Sequence, residues 1–188
     1  MPPRCKFTRE EITAAALQFI RKEGLTAMTA RSVAAELKAS PKVIFGLFQG
    51  MQELQTQVIL AAQAHYDAFT DQLLSENRYP PYKAVGMAYV LYASRERELF
   101  RLLYMRDRRQ ERQPLQNDER AISVLMEQYG ISREQAGRLQ LHMWFYIHGI
   151  ATLIATDYLP LEEAMASQML TEHFQSMIKQ FQEEMQCQ

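Results

Sequence analysis

Two cysteines, seven glycines and seven prolines in 188 residues leave this chain short of staples and breakers. Cys5 and Cys187 stand near opposite ends, in segments expected to fray, so an internal disulfide is not expected and a reducing cytoplasm is the expected compartment. The low glycine and proline content and the missing Val/Ile/Thr alternation exclude a β reading. Long stretches rich in Ala, Leu, Gln, Glu and Met favour helix throughout, so the expected fold class is all-α with about nine helices. No run approaches the roughly 18 uninterrupted apolar residues of a membrane span, and the first residues carry no apolar leader pattern. Neither membrane spanning nor export is expected.

Catalytic patterns are missing as well. Glu-x-x-His, His-Glu-x-x-His, paired cysteines and glycine-rich phosphate loops do not occur, and His142 and His148 are not spaced to converge on one metal from a helix. No metal, no cofactor and no enzymatic activity are therefore expected. An all-α enzyme is an alternative that steady turnover of a small molecule would revive.

What is present is concentrated early. A helix opening at Thr8, with Glu11 three residues on to complete a capping box, runs through Ile12, Ala15, Ala16, Phe19 and Ile20 to a stop at Gly24. Thr29 then caps a helix whose Ala30, Val33, Ala34 and Leu37 make one apolar stripe. After a break at Lys38 and Ala39, Ser40 caps a further helix with Pro41 in its first turn, where a missing N–H costs nothing. Ile44 and Phe48 point inward from it; Lys42, Val43 and Gly46 face out. Two short helices hinged by a tight turn, carried on a third, aim one helix at a DNA major groove.

Charge supports that reading. Residues 1–54 hold eight lysines and arginines against five glutamates, +3, whereas the remainder holds 13 cations and 17 anions, −4, within a total of −1. A basic head on an acidic body concentrates attraction for phosphate where the groove would lie.

At these residues the chain resembles the tetracycline-repressor (TetR) type regulators. The matching positions are Ile12, Ala15, Ala16, Phe19 or Ile20, Gly24, Thr29, Arg31, Val33, Ala34, Ala39, Ser40, Ile44, Phe45, Leu47, Phe48, Met51, Glu53 and Leu54, without a gap from Thr29 onward. The chain departs from the pattern at Lys38, where the family usually has Gly, at Lys42-Val43 in place of Gly-Thr, at Leu47 in place of Tyr, and at Met51 in place of Lys. The resemblance implies Ser40, Lys42, Val43 and Gly46 near bases, and Thr29, Arg31, Phe45, Leu47 and Gln49 near phosphates or sugar. The lost tyrosine hydroxyl and lysine imply a differently arranged backbone anchor. A helix-turn-helix-shaped module of weak or lost DNA affinity is thus a second reading.

Residues 51–188 are expected to form a ligand-binding and dimerisation domain behind a DNA-binding head over residues 1–50. A long helix from Leu54 past His65 to Leu73 is a connecting rod. It is followed by a helix from about Tyr82, a bend at Arg95 to Glu98, and helix again to Tyr104. Arg106 to Pro114 is too charged to bury and is expected to be a solvated loop or a frayed helix end. Ser132 and Gln135 make another capping box, opening a helix that is apolar nearly all round from Met143 to Ala151. The last helix, beyond Pro160, carries Met165, Met169, Phe174, Met177, Ile178 and Phe181. Two terminal helices with this much apolar surface suggest a two-fold interface between copies, and the resemblance implies a homodimer through them on a near-palindromic operator. Trp144, His148 and Gly149 are similar to the tryptophan, histidine and glycine pattern of one subgroup of TetR regulatory domains.

His65, Tyr66, Tyr89, Tyr92, Phe100, Tyr104, Trp144 and His148 are aromatic or dual-character residues on helices expected to surround the centre of the larger domain. Singly, each reads as core packing. Together they form the expected lining of an apolar pocket with a few polar handles. The functional expectation is a cytoplasmic, homodimeric regulator, a repressor, released from DNA by a small and largely apolar effector.

Overall fold

The computed structural model describes residues 7–107 and 119–186. Among them lie nine α-helices and no strand: α1 (Arg9–Glu23), α2 (Ala30–Glu36), α3 (Lys42–Phe45), α4 (Met51–Ser75), α5 (Pro81–Arg95), α6 (Arg97–Tyr104), α7 (Glu119–Tyr129), α8 (Arg133–Ala155) and α9 (Glu163–Gln186), with a 3₁₀ turn at Leu25–Ala27 after α1. The all-α expectation holds. Cys5, Cys187 and most of the charged Arg106–Pro114 segment lie outside the described residues.

The chain divides into two compact units, one of residues 1–68 with 96–106, the other of 69–95 with 107–188. This division runs through α4 and gives α6 to the first unit, whereas the sequence reading drew its boundary at residue 50.

In the first unit, α1 begins at the Thr8 capping box, with the Thr8 hydroxyl accepting from Glu11 N–H and the Glu11 carboxylate accepting from Thr8 N–H at 2.8 Å. It ends at Gly24, whose φ of 79° and ψ of 166° lie in a region open essentially to glycine alone. Ile12, Ala16 and Ile20 from α1 are fully buried. Val33, Ala34, Ile44, Leu54 and Val58 of the same unit are buried as well, as are Leu99, Phe100 and Leu102 of α6. An ion pair fixes α6 to α1, the Arg21 Nε donating to Glu96 Oε2 at 2.5 Å with a second bond beside it. A Cβ on Gly24 would lie 2.7 Å from a Glu98 carboxylate oxygen and would push the end of that side chain aside, whereas the positive φ is what calls for glycine.

The second unit is built on α5, which is buried along Met87 to Ala93. One core cluster joins Met87, Val90 and Leu91 to Ile150 and Ile154 of α8 and Ala166 and Leu170 of α9. Another joins Tyr82 to Ile122 and Leu125 of α7, Leu139 and Met143 of α8, and Phe181 of α9. Burial of such side chains contributes roughly 1.5–3 kcal/mol each before chain entropy is set against it. Glu163 in the first turn of α9 accepts from Arg78 at 2.6 Å and from the Tyr79 hydroxyl at 2.9 Å, tying the start of α9 to the α4–α5 connection.

Candidate nucleic-acid interface and effector domain

The hinge between α2 and α3 is a Schellman motif. Ala39 N–H donates to the Ala34 carbonyl at 2.9 Å and Lys38 N–H to the Ala35 carbonyl at 3.0 Å, the 6→1 and 5→2 pair that closes a helix. Lys38 takes the left-handed position of that motif, with φ of 51°. Upstream, Thr29 caps α2 through Ser32 N–H, and Ser32 returns the bond, a capping box that fixes where α2 begins.

Downstream, the Ser40 hydroxyl accepts from Lys42 N–H at 3.3 Å, and the first bonds of α3 are of the tight i→i+3 kind, Val43 to Ser40 and Ile44 to Pro41. Only Lys42–Phe45 form α3 proper. Leu47 and Phe48 N–H both return to the Ile44 carbonyl, which closes the helix well short of Gly50. Ile44 and Phe48 are buried as expected.

Of the residues read as facing DNA, Thr29, Arg31, Ser40, Lys42, Phe45, Gly46 and Gln49 are exposed, while Val43 and Leu47 are half-buried. Phe45 is 56% exposed, a large ring held in solvent on the outer side of α3. The Thr29 hydroxyl is engaged in its cap.

A clamp that the sequence reading did not identify holds the end of α3. Arg9 donates to the Leu47 carbonyl and, at 2.5 Å, to Glu53, while its guanidinium lies 4.2 Å from the Phe48 ring centroid. The other Glu53 oxygen accepts from Gln49 N–H at 2.6 Å. The Gln49 amide and then the Arg9 guanidinium hold the Glu53 carboxyl below the usual carboxylate range. Arg9 and Glu53 are 44 residues apart, so no local pattern signals their pairing.

The eight residues read as a pocket lining fall into two groups. In the first unit Tyr104 stands edge-on to Tyr66 at 5.9 Å and beside Phe100 at 5.0 Å, with His65 half-buried on the same helix as Tyr66. In the second, the Tyr89 hydroxyl is 2.9 Å from His148 Nδ1, and Trp144 stacks on the His148 ring with centroids 5.0 Å apart. Desolvation holds the His148 imidazole below the usual histidine range. Tyr92 packs edge-on to Phe69 at 5.4 Å. Tyr92 and Phe100 are wholly enclosed by neighbouring side chains.

A cavity of about 320 Å³ in the second unit is lined by other residues, among them Tyr82, Lys83 and Gly86 of α5, Ile147 of α8, and Thr171 and Phe174 of α9. No group of three or more metal-ligating side chains occurs among the described residues. No helix among them is long and apolar enough to cross a membrane.

Residues 82–181, more than half of the chain, match the family model described as tetracyclin repressor-like, C-terminal domain. The chain belongs to the TetR family. No curated protein matches it in sequence. Among solved structures, a protein of unknown function from Rhodococcus sp. RHA1 superposes with a TM-score of 0.64 at 22% identity, over 94% of this chain and 95% of that one. A TetR family member from Streptomyces coelicolor A3 gives 0.58 at 16% identity, over 90% of this chain and 98% of that one. A multidrug binding protein, EbrR, complexed with imidazole gives 0.57 at 18% identity, over 87% and 93%. At these identities the structures share a fold with this TetR chain. Its DNA and ligand contacts have to be argued from its own residues.

Proposed function

We propose that this TetR-family chain is a cytoplasmic, homodimeric transcriptional repressor. Residues 1–50 bind a near-palindromic operator, and residues 51–188 dimerise and hold a small, largely apolar effector that releases the DNA. The observation that carries the reading is the surface from Ser40 to Gln49. One side is locked inward through Ile44 and Phe48, and the other presents Lys42, Phe45, Gly46 and Gln49 to solvent beyond a capped and rigid hinge. A short helix start with one cation and a glycine fits close approach to base edges.

Exposed apolar side chains support the homodimer. Leu141, Phe145 and Leu153 are 37%, 57% and 37% exposed along one side of α8, and Met165 of α9 is 56% exposed. A large unpartnered apolar stripe on a long helix is the mark of an interface between protomers. Two heads carried on a two-fold body read half-sites about one helical turn, roughly 34 Å, apart. Release follows if the effector prefers the DNA-incompetent state, and DNA then weakens effector binding by the same factor. A coupling of about 1–3 kcal/mol gives a 5- to 150-fold response. The chain returns to the first unit at Glu96, the single residue between α5 and α6, and Arg21 of α1 grips that residue.

The second reading, a helix-turn-helix-shaped module with weakened DNA affinity, draws on Leu47, whose half-buried side chain carries no hydroxyl for a phosphate where the family pattern has tyrosine. Titration of the purified protein with duplexes flanking its own coding region separates the two. A specific complex is expected, and Lys42→Ala is expected to cost about 1–3 kcal/mol on the cognate duplex beyond its effect on mismatched DNA. An equal loss on both makes Lys42 a phosphate contact. Failure to bind any duplex at low salt favours the second reading.

A further inference from the structure

The 320 Å³ cavity of the second unit carries one cation on a largely apolar wall. Its rings form a continuous lining, with Phe174 centred 5.3 Å from Tyr82 and 5.2 Å from Tyr129. Lys83, the neighbour of Tyr82 on α5, sends its Nζ to the Thr171 hydroxyl at 2.8 Å and lies 5.2 Å from the Tyr79 ring centroid. Among the described residues no carboxylate pairs with it. Desolvation, with no compensating negative charge, holds the amine below the usual lysine range. Gly86 leaves bare backbone one turn along α5 from Tyr82, where a Cβ would lie 3.1 Å from Ile147 Cδ1 and 3.2 Å from Leu170 Cδ2.

We propose that this cavity binds a small molecule with an aromatic or alkyl body and a single carboxylate head, the head pairing with Lys83 and Thr171 and the body lying on Tyr82, Phe174 and Tyr129. A half-buried ammonium whose partners are a neutral hydroxyl and a ring face is an incomplete ion pair. An anion that enters the same poorly solvated space gains a charge-assisted bond and restores the balance that burial removed. A cationic ligand meets repulsion instead. The volume lies at the low end of ligand pockets, about 300–1,000 Å³, which favours one ring or a short chain over a polycyclic body. Neither Lys83 nor Thr171 belongs to the aromatic set singled out in the sequence, so this is a separate site. The proposal rests on the effector-binding reading for its consequence at DNA; binding itself stands apart from it.

Isothermal titration of the full chain, without DNA, uses phenylbutyrate as probe, with phenylbutanol and phenylbutylamine as neutral and cationic analogues. One phenylbutyrate per chain is expected to bind, the alcohol more weakly and the amine not at all. Lys83→Met is expected to weaken the acid about tenfold or more while leaving the alcohol unchanged, and Lys83→Arg to retain the acid. Gly86→Val, with an unchanged circular dichroism spectrum, is expected to abolish binding of both acid and alcohol. Equal affinity for acid and alcohol, or an acid affinity indifferent to Lys83→Met, overturns the proposal. Binding that follows this pattern but leaves DNA affinity untouched overturns the effector reading alone.

Discussion

Replacing Lys38 by glycine is expected to stabilise the protein, although the substitution deletes a whole side chain. Lys38 is exposed, and its φ of 51° puts its Cβ against its own backbone. A left-handed non-glycine residue costs about 1–2 kcal/mol. Glycine removes that strain but gives the unfolded chain more freedom, which offsets roughly 0.5–1 kcal/mol. The net gain is about 0.5–1 kcal/mol, a rise in Tm of about 1–4 °C for a chain of this size. Lys38→Ala retains the Cβ and is the control, with a change near zero. Thermal unfolding followed by circular dichroism at one fixed protein concentration reads all three proteins, the fixed concentration removing any contribution from association. If Lys38→Gly melts below the wild type, or no higher than Lys38→Ala, the Schellman geometry assigned to the hinge is wrong.

Gly24→Ala tests the opposite case: a φ of 79° with ψ of 166°, a backbone region that an L side chain rarely adopts, is expected to cost about 1–3 kcal/mol, seen as a lower midpoint in urea, and an unchanged midpoint contradicts that backbone conformation. His148 has a folded-state pKa below its unfolded value, so its neutral form is favoured in the native state and stability is complete above the unfolded value, near 6.5. Tm is therefore expected to fall as pH drops below that value toward the folded pKa, and His148→Asn to flatten the slope; identical slopes in both proteins remove His148 as the cause. Arg31→Ala removes one phosphate contact from each protomer and is expected to reduce the salt dependence of operator binding by about two units in the log–log slope, and an unchanged slope takes Arg31 out of the interface.

Signals carried within a few residues were legible in the sequence. The Thr8 and Ser132 capping boxes and the Gly24 and Gly130 stops lie where their spacing put them, both glycines with positive φ. The apolar stripes of α1 and α2 are the buried faces. Helix α3 proved shorter than its apolar spacing suggested, because Leu47 and Phe48 fold back on one carbonyl, a choice that periodicity does not encode. The link between α1 and α6 was hidden, since Arg21 and Glu96 stand 75 positions apart. For the pocket, residue type reported which helical face carries aromatics and could not report where space remains. Tyr92 and Phe100 are wholly buried, while Gly86 lines a cavity and is itself required by packing, since a Cβ there would lie 3.1 Å from Ile147 Cδ1 and 3.2 Å from Leu170 Cδ2.

Selection of random duplexes by the purified full-length protein at low salt tests most directly whether Ser40 to Gln49 is a DNA-reading surface carried in two copies. The account predicts enrichment of a near two-fold symmetric sequence with half-site centres about one helical turn apart, with the preference relaxed at one base position of each half-site when Lys42→Ala protein is used. A pool that stays random, or a single asymmetric half-site bound by one chain, contradicts it.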